Sequence, residues 1–285
     1  MKRLGLGIVL TVGIALALLP LARGESGSEA FARGKSLLEK GDFDAALTSF
    51  AAAARTELDN DSYRQQYALV RRIVDLRKRM DVEKDPERWE YSARALHAFY
   101  LDQGLHGQAV GLARKTHEKA GTASTAAMLA ETELALNNNA EAEKMLAALD
   151  KDGKSTPMTR TLWGVAQARL GKAQAAKKLA QGISLGDDAG PQLAYSYARL
   201  SAATGSADAA LAALQKCFET LPPSRLENFK EHAKACPEFA ALASTPKFAK
   251  VLETESQVAE SKCSSGSGCA GCPTRGKCDK APEEK

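Results

Sequence analysis

From about residue 27 to residue 222 the chain repeats one arrangement of apolar, small and polar positions. Its clearest copy runs Gly41-Asp42-Phe43-Asp44-Ala45-Ala46-Leu47-Thr48-Ser49-Phe50-Ala51-Ala52-Ala53, a glycine–aspartate turn that opens one amphipathic segment and closes another. The 3.6-residue period of the apolar positions predicts a helix on each side of the turn. The same frame, turn residue to small residue to two further core positions, fits Gly41/Ala46/Phe50/Ala53, Gly104/Ala109/Ala113/Thr116 and Asn137/Ala142/Leu146/Leu149. It fits again at Gly171/Ala176/Ala180/Ile183 and Gly205/Ala210/Leu214/Cys217. Glycine or asparagine at the turn tolerates the positive φ that ends a helix tightly.

The turn residues are separated by 63, 33, 34 and 34 positions. The long first step leaves room for a degenerate unit at 58–86, in which Asp61–Met80 reads as a helix with Tyr67, Val70, Ile73, Val74 and Leu76 apolar. Asp85-Pro86 breaks the chain after it. Upstream of each turn the pattern expects a small residue, found as Gly34, His97, Ala130, Gly164 and Ala198, of which His97 is bulky for its slot. The larger position late in the first helix is Leu37 and Tyr100, then departs to Glu133, Gln167 and Ser201.

A 34-residue step with two helices per unit is the tetratricopeptide spacing, and residues 27–222 resemble that family. The resemblance implies an all-α, right-handed solenoid of helical hairpins, with an array over 25–222, a helical cap over 223–258 and a disordered tail. In the cap, Ser224–Ala235 reads as a helix, Pro237-Glu238-Phe239 and Pro246-Lys247-Phe248 follow, and a last helix runs to about Val258. Such a segment covers the open apolar end that a solenoid must hide to stay soluble. The resemblance also implies a concave groove lined by the first helices, here Lys35, Arg94, Leu101, Glu131, Arg169, Tyr195 and Arg199. Several are basic, which points to a protein or peptide with acidic groups or a free carboxylate.

Charge and composition alter this picture at the two ends. Lys2 and Arg3 precede an uncharged apolar run, 4–22, and Ala22-Arg23-Gly24 supplies the small residues of a signal-peptidase site before Glu25. Residues 1–24 therefore read as a secretory signal, and the remainder as exported, periplasmic or secreted. The alternative is an uncleaved anchor holding the protein on the outer face of the inner membrane. Formal charge is +4, but Lys2, Arg3 and Arg23 account for three, so the rest of the chain is nearly neutral. The basic run Arg71, Arg72, Arg77, Lys78, Arg79 lacks interleaved aromatics and reads as a solvated helix face, with no nucleic-acid partner.

At the other end, 259–285 is polar, glycine-rich and too poor in apolar residues to bury a core. It carries Cys263, Cys269, Cys272 and Cys278 within 16 residues. Three chemistries fit. Two local disulfides suit an oxidising compartment, four thiolates suit zinc or an iron–sulfur cluster, and Cys269/Cys272 suit a redox dithiol that here lacks a βα context. The stretch around Cys269, Cys272 and Cys278 resembles part of the cluster-binding segment of cytosolic iron–sulfur scaffold ATPases over ten residues only. Cys217 reads as a core residue and Cys236 as free or paired elsewhere, the two being too far apart for a bridge. His97, His106 and His117 do not share a helix face, and Trp89 and Trp163 read as packing residues. No hydrolase, metalloprotease or phosphate-loop motif is present, so the sequence predicts a scaffold that binds a protein or peptide and no enzyme, the alternative being a metal- or iron–sulfur-handling protein that works through the four tail cysteines.

Overall fold

The computed structural model describes residues 25–186 and 188–259. Among these every regular element is helical. The chain divides after Val82 into two compact units, whereas the sequence pattern runs as one array from 25 to 222.

The first unit holds α1 (Gly27–Glu39), α2 (Phe43–Thr56) and α3 (Asp61–Val82). Ser26 caps α1 through a reciprocal bond with Glu29, and Asp42 caps α2 by accepting from the Ala45 amide at 3.1 Å. The two helices meet closely at Gly34. A Cβ there would lie 2.7 Å from the Phe50 ring. In place of a second hairpin, α3 is one uninterrupted 22-residue helix, two residues longer than its pattern suggests. Nothing between Asp61 and Val82 breaks a helix, so the 34-residue step lapses here. Val70, Ile73 and Val74 of α3 are buried, while Arg71, Arg72, Lys78 and Arg79 face solvent. Arg77 instead lies over the Phe43 ring at 4.4 Å.

The second unit contains four hairpins: α4 (Pro86–Asp102) with α5 (His106–Ala120), α6 (Ala123–Ala135) with α7 (Asn139–Lys151), α8 (Pro157–Arg169) with α9 (Ala173–Gln181), and α10 (Pro191–Ala203) with α11 (Ala207–Thr220). The cap follows as α12 (Pro223–Ala235), a 3-10 turn at Pro237–Phe239 and α13 (Pro246–Leu252). α6, α8 and α10 pack side by side as successive first helices.

One backbone device closes all five hairpins. Gly41, Gly104, Asn137, Gly171 and Gly205 have φ of 81°, 67°, 59°, 75° and 85°. The amide after each bonds back to a carbonyl five residues earlier: Asp42 to Leu37, Leu105 to Tyr100, Asn138 to Glu133, Lys172 to Gln167 and Ser206 to Ser201. The accepting residues are the variable positions late in the first helices. The turn uses their carbonyls, which every side chain supplies, and this frees the side chain to change. Glu133 exploits that freedom: buried, it accepts from Arg114 at 2.6 and 3.0 Å and from the Asn138 amide group at 2.8 Å. His97 fits its slot because its Nε2 meets Thr132 Oγ1 at 2.7 Å. The Thr132 hydroxyl already donates to the Met128 carbonyl at 2.8 Å, so His97 Nε2–H is the donor.

The frame's core positions are buried throughout except Ala180, which is half-buried in the short α9. Phe239, Phe248 and Val251 of the cap join Leu214, Cys217 and Phe218 of α11 in one core cluster. The final helix stops at Leu252, short of the expected Val258. There the chain turns to bond the end of α11, with the Gln257 amide on the Glu219 carbonyl at 2.8 Å and Ser256 Oγ on the Leu221 carbonyl.

Candidate functional site

The cap also reaches onto the face formed by the first helices. A cavity of about 590 Å³ opens between α4, α6, α8 and α10 on one side and α12 on the other. Its walls include Leu101 of α4, Glu131 of α6, Arg169 of α8, Tyr195 and Arg199 of α10, and Phe229 and His232 of α12. Five of the seven residues expected in a groove thus surround one cavity. Arg94 does not line it: its guanidinium holds Glu90 at 2.6 Å and Ser124 Oγ at 3.0 Å. Lys35 belongs to the first unit, where its ammonium lies 5.0 Å from the Phe31 ring centre.

Next to the lining residues Cys236 and Pro237, Glu238 of the 3-10 turn sits between two arginines. Arg169 Nε donates to Glu238 Oε1 at 2.6 Å, and Arg199 reaches both carboxylate oxygens at 3.4 Å. Arg169 also donates to the Leu134 carbonyl at 2.5 Å, tying the cluster to α6. The Glu238 side chain is 3% exposed. Burial alone would raise its pKa; the Arg199 charge and the bonds from Arg169 and from the Cys236 thiol, 2.8 Å away, overcome this and hold it at about 2. The carboxylate is therefore ionised at any ordinary pH.

The same burial silences the neighbouring groups. Cys236 is pushed up to about 11, by burial and then by the Glu238 charge. Tyr195 is raised by burial and by Cys236, and its hydroxyl meets His232 Nδ1 at 2.5 Å. His232 is lowered, by burial and then by Arg199, which favours the neutral ring. Phe229 meets the Tyr195 ring edge-on at 5.3 Å, and Arg225 covers Phe229 at 5.3 Å.

Glu131 stands apart from these pairs. Its surface is open to the cavity although protein surrounds it, and it makes no hydrogen bond or ion pair among the described residues. Burial raises its pKa, and the Arg199 charge partly opposes that. The sequence expectation of an acidic ligand rested on Lys35, Arg94, Arg169 and Arg199. Each of these has an internal partner, but Arg169 and Arg199 share the single Glu238 carboxylate, and Arg225 lines the cavity without an ion pair among the described residues.

Sequence reasoning missed Glu238, His232, Phe229 and Arg225, because a cap was expected to cover only the end of the array. One signal was present: a lone glutamate between Pro237 and Phe239 in an apolar stretch needs a buried cation. Cys217 and Cys236 are both buried free thiols. The other histidines are ordinary structural groups, with His117 Nδ1 on Thr125 Oγ1 at 3.1 Å and His106 exposed at the start of α5. Trp89 is buried beneath Lys119, whose ammonium is 4.0 Å from its ring centre. Residues 1–24, expected to be a secretory signal, and the tail cysteines Cys263, Cys269, Cys272 and Cys278 lie outside the described residues. Among the described residues no group of acidic, histidine or cysteine side chains is placed to hold a metal, and no helix is long and apolar enough to cross a membrane.

No protein-family model matches the chain, and no curated protein matches it. A solved tetratricopeptide repeat protein from Parabacteroides merdae ATCC 43184 is similar at 17% identity and a TM-score of 0.37. The match covers 80% of this chain and 98% of that one.

Proposed function

We propose that this chain is an exported scaffold that holds a segment of another protein in the cavity between the first helices and α12. The observation that carries the reading is the cavity itself. Its volume, about 590 Å³, falls in the range of genuine ligand sites. It combines apolar walls with a few charged groups, Glu131 and Arg225 among them, the mixture that gives a binding site both affinity and orientation. Burial holds the neighbouring Cys236 thiol and Tyr195 phenol in their protonated forms, which suits a binding surface. Export rests on the leader-like sequence of residues 1–24.

The test compares full-length wild type with two variants as bait for envelope extract. Ala135→Trp places an indole in the cavity from an exposed position on its wall. Lys144→Trp adds the same bulk on exposed α7, away from the cavity. Proteins retained by wild type and Lys144→Trp but lost from Ala135→Trp are the expected result. Equal retention by all three would overturn the reading.

A further inference from the structure

Arg169, Arg199 and Arg225 line the cavity against one acidic residue, Glu131. Glu238, beside the lining, is the carboxylate that Arg169 and Arg199 share, so even with it counted the positive charges outnumber the negative. Burial raises the pKa of Glu131, and the Arg199 charge opposes that rise, so this carboxylate is already partly answered. Arg225 is the guanidinium left over: exposed on α12, it forms no ion pair among the described residues. It is nevertheless held. Its guanidinium lies over the Phe229 ring at 5.3 Å, four residues along the same helix face, and Phe229 is set edge-on against Tyr195. The amide groups of Asn228 on α12 and Gln192 on α10 line the same space and add neutral donors.

From this arrangement, and resting on the binding role proposed above, we infer that the bound protein segment presents an acidic side chain whose carboxylate Arg225 receives. A guanidinium offers a planar fork of N–H donors that matches the two oxygens of a carboxylate. Contact with Phe229 orients that fork before the ligand arrives, so less side-chain freedom is lost on binding. Across the cavity, Arg169 and Arg199 with one carboxylate between them leave a positive field in a partly enclosed space, where water screens it weakly. A lysine or arginine from the ligand would meet that field and Arg225 itself. The methylene stem of an acidic side chain fits the apolar lining of Leu101, Leu134 and Phe229.

The experiment uses hexapeptide libraries with blocked termini, randomised flanks and one fixed residue: glutamate, glutamine or lysine. A further glutamine library keeps a free C-terminal carboxylate. Each is titrated against the full-length protein, Arg225→Gln, Arg225→Lys and Ala135→Trp, with melting temperatures measured alongside. The expected result is binding of the glutamate library at least about tenfold tighter than the blocked glutamine library, a preference worth about 1.4 kcal/mol. That preference weakens as salt is raised, survives in reduced form in Arg225→Lys and disappears in Arg225→Gln, while all binding disappears in Ala135→Trp. Binding that is lost in Ala135→Trp but favours glutamine or lysine, or keeps its full glutamate preference in Arg225→Gln, or is confined to the free-carboxylate library, overturns the acidic side-chain assignment and leaves the cavity reading standing. No library binding, or binding insensitive to Ala135→Trp, overturns both.

Discussion

Replacing Glu238 by glutamine tests whether one carboxylate locks the cap onto the repeats. The substitution keeps the side chain's shape and one acceptor oxygen but removes the charge between Arg169 and Arg199. Two routes give the magnitude. Breaking a buried ion pair from one side typically costs 3–5 kcal/mol, since the charge left behind is uncompensated. Independently, the fall of the Glu238 pKa from 4.5 to about 2 corresponds to roughly 3 kcal/mol. Both of the chain's tryptophans, Trp89 and Trp163, lie in the second unit, so their fluorescence in urea reports the unit that contains Glu238. At about 2 kcal/mol per molar urea, a loss of about 3 kcal/mol moves the midpoint down by roughly 1.5 M.

The acid limb gives a second reading of the same contact. The folded-state pKa of Glu238 lies below the unfolded one, so the unfolded chain takes up this proton first as pH falls. The stabilisation is complete above about pH 4.5 and is lost on the way to about 2. Wild type and Glu238→Gln should therefore converge in stability over that window. Removing Arg199 as well, as Arg199→Met, should return part of the loss by taking away the stranded charge. A midpoint within about 0.3 M of wild type, with parallel pH profiles, would refute the clamp.

Two glycines on first and second helices should respond in opposite directions. Gly164→Ala drives a Cβ to 2.6 Å from Leu200 Cδ1, and Leu200 is fully buried, so the variant should lose about 1–3 kcal/mol in the same urea assay. Gly111→Ala in α5 meets nothing within 4 Å and should gain about 0.5–1 kcal/mol; a loss there would show that the helix face is covered. His97 is held down to about 4 by burial and by the Arg94 charge. Its neutral form is required in the fold, so wild-type stability should fall as pH drops from 6.5 toward 4, by about 2–3 kcal/mol at most, and His97→Gln should flatten that slope. Burial pushes Cys217 up to about 12 and Cys236 up to about 11. Iodoacetamide at about pH 8 should label neither in the native protein and both in urea, read by peptide mass spectrometry; rapid native labelling of either would contradict its burial.

Local chemistry written into the sequence determined the hairpins. A turn residue that accepts positive φ, a small residue opposite it and apolar positions at helical spacing are contiguous requirements, and all five copies display them. The family resemblance also marked five residues that do surround one cavity. What the sequence could not reveal was how those residues are paired. Arg169 and Glu238 are 69 positions apart, and no local period connects a charge on a repeat helix to one on a cap turn. The basic character of the groove was thus read in part from Arg169 and Arg199, which share one unforeseen carboxylate. The single α3 in place of a hairpin was legible from its unbroken helix formers, but the division of the chain after it was not. Backbone turns are fixed by neighbours in sequence, whereas the charge a cavity presents is set by long-range pairing. Only the tertiary structure placed Glu238 between Arg169 and Arg199.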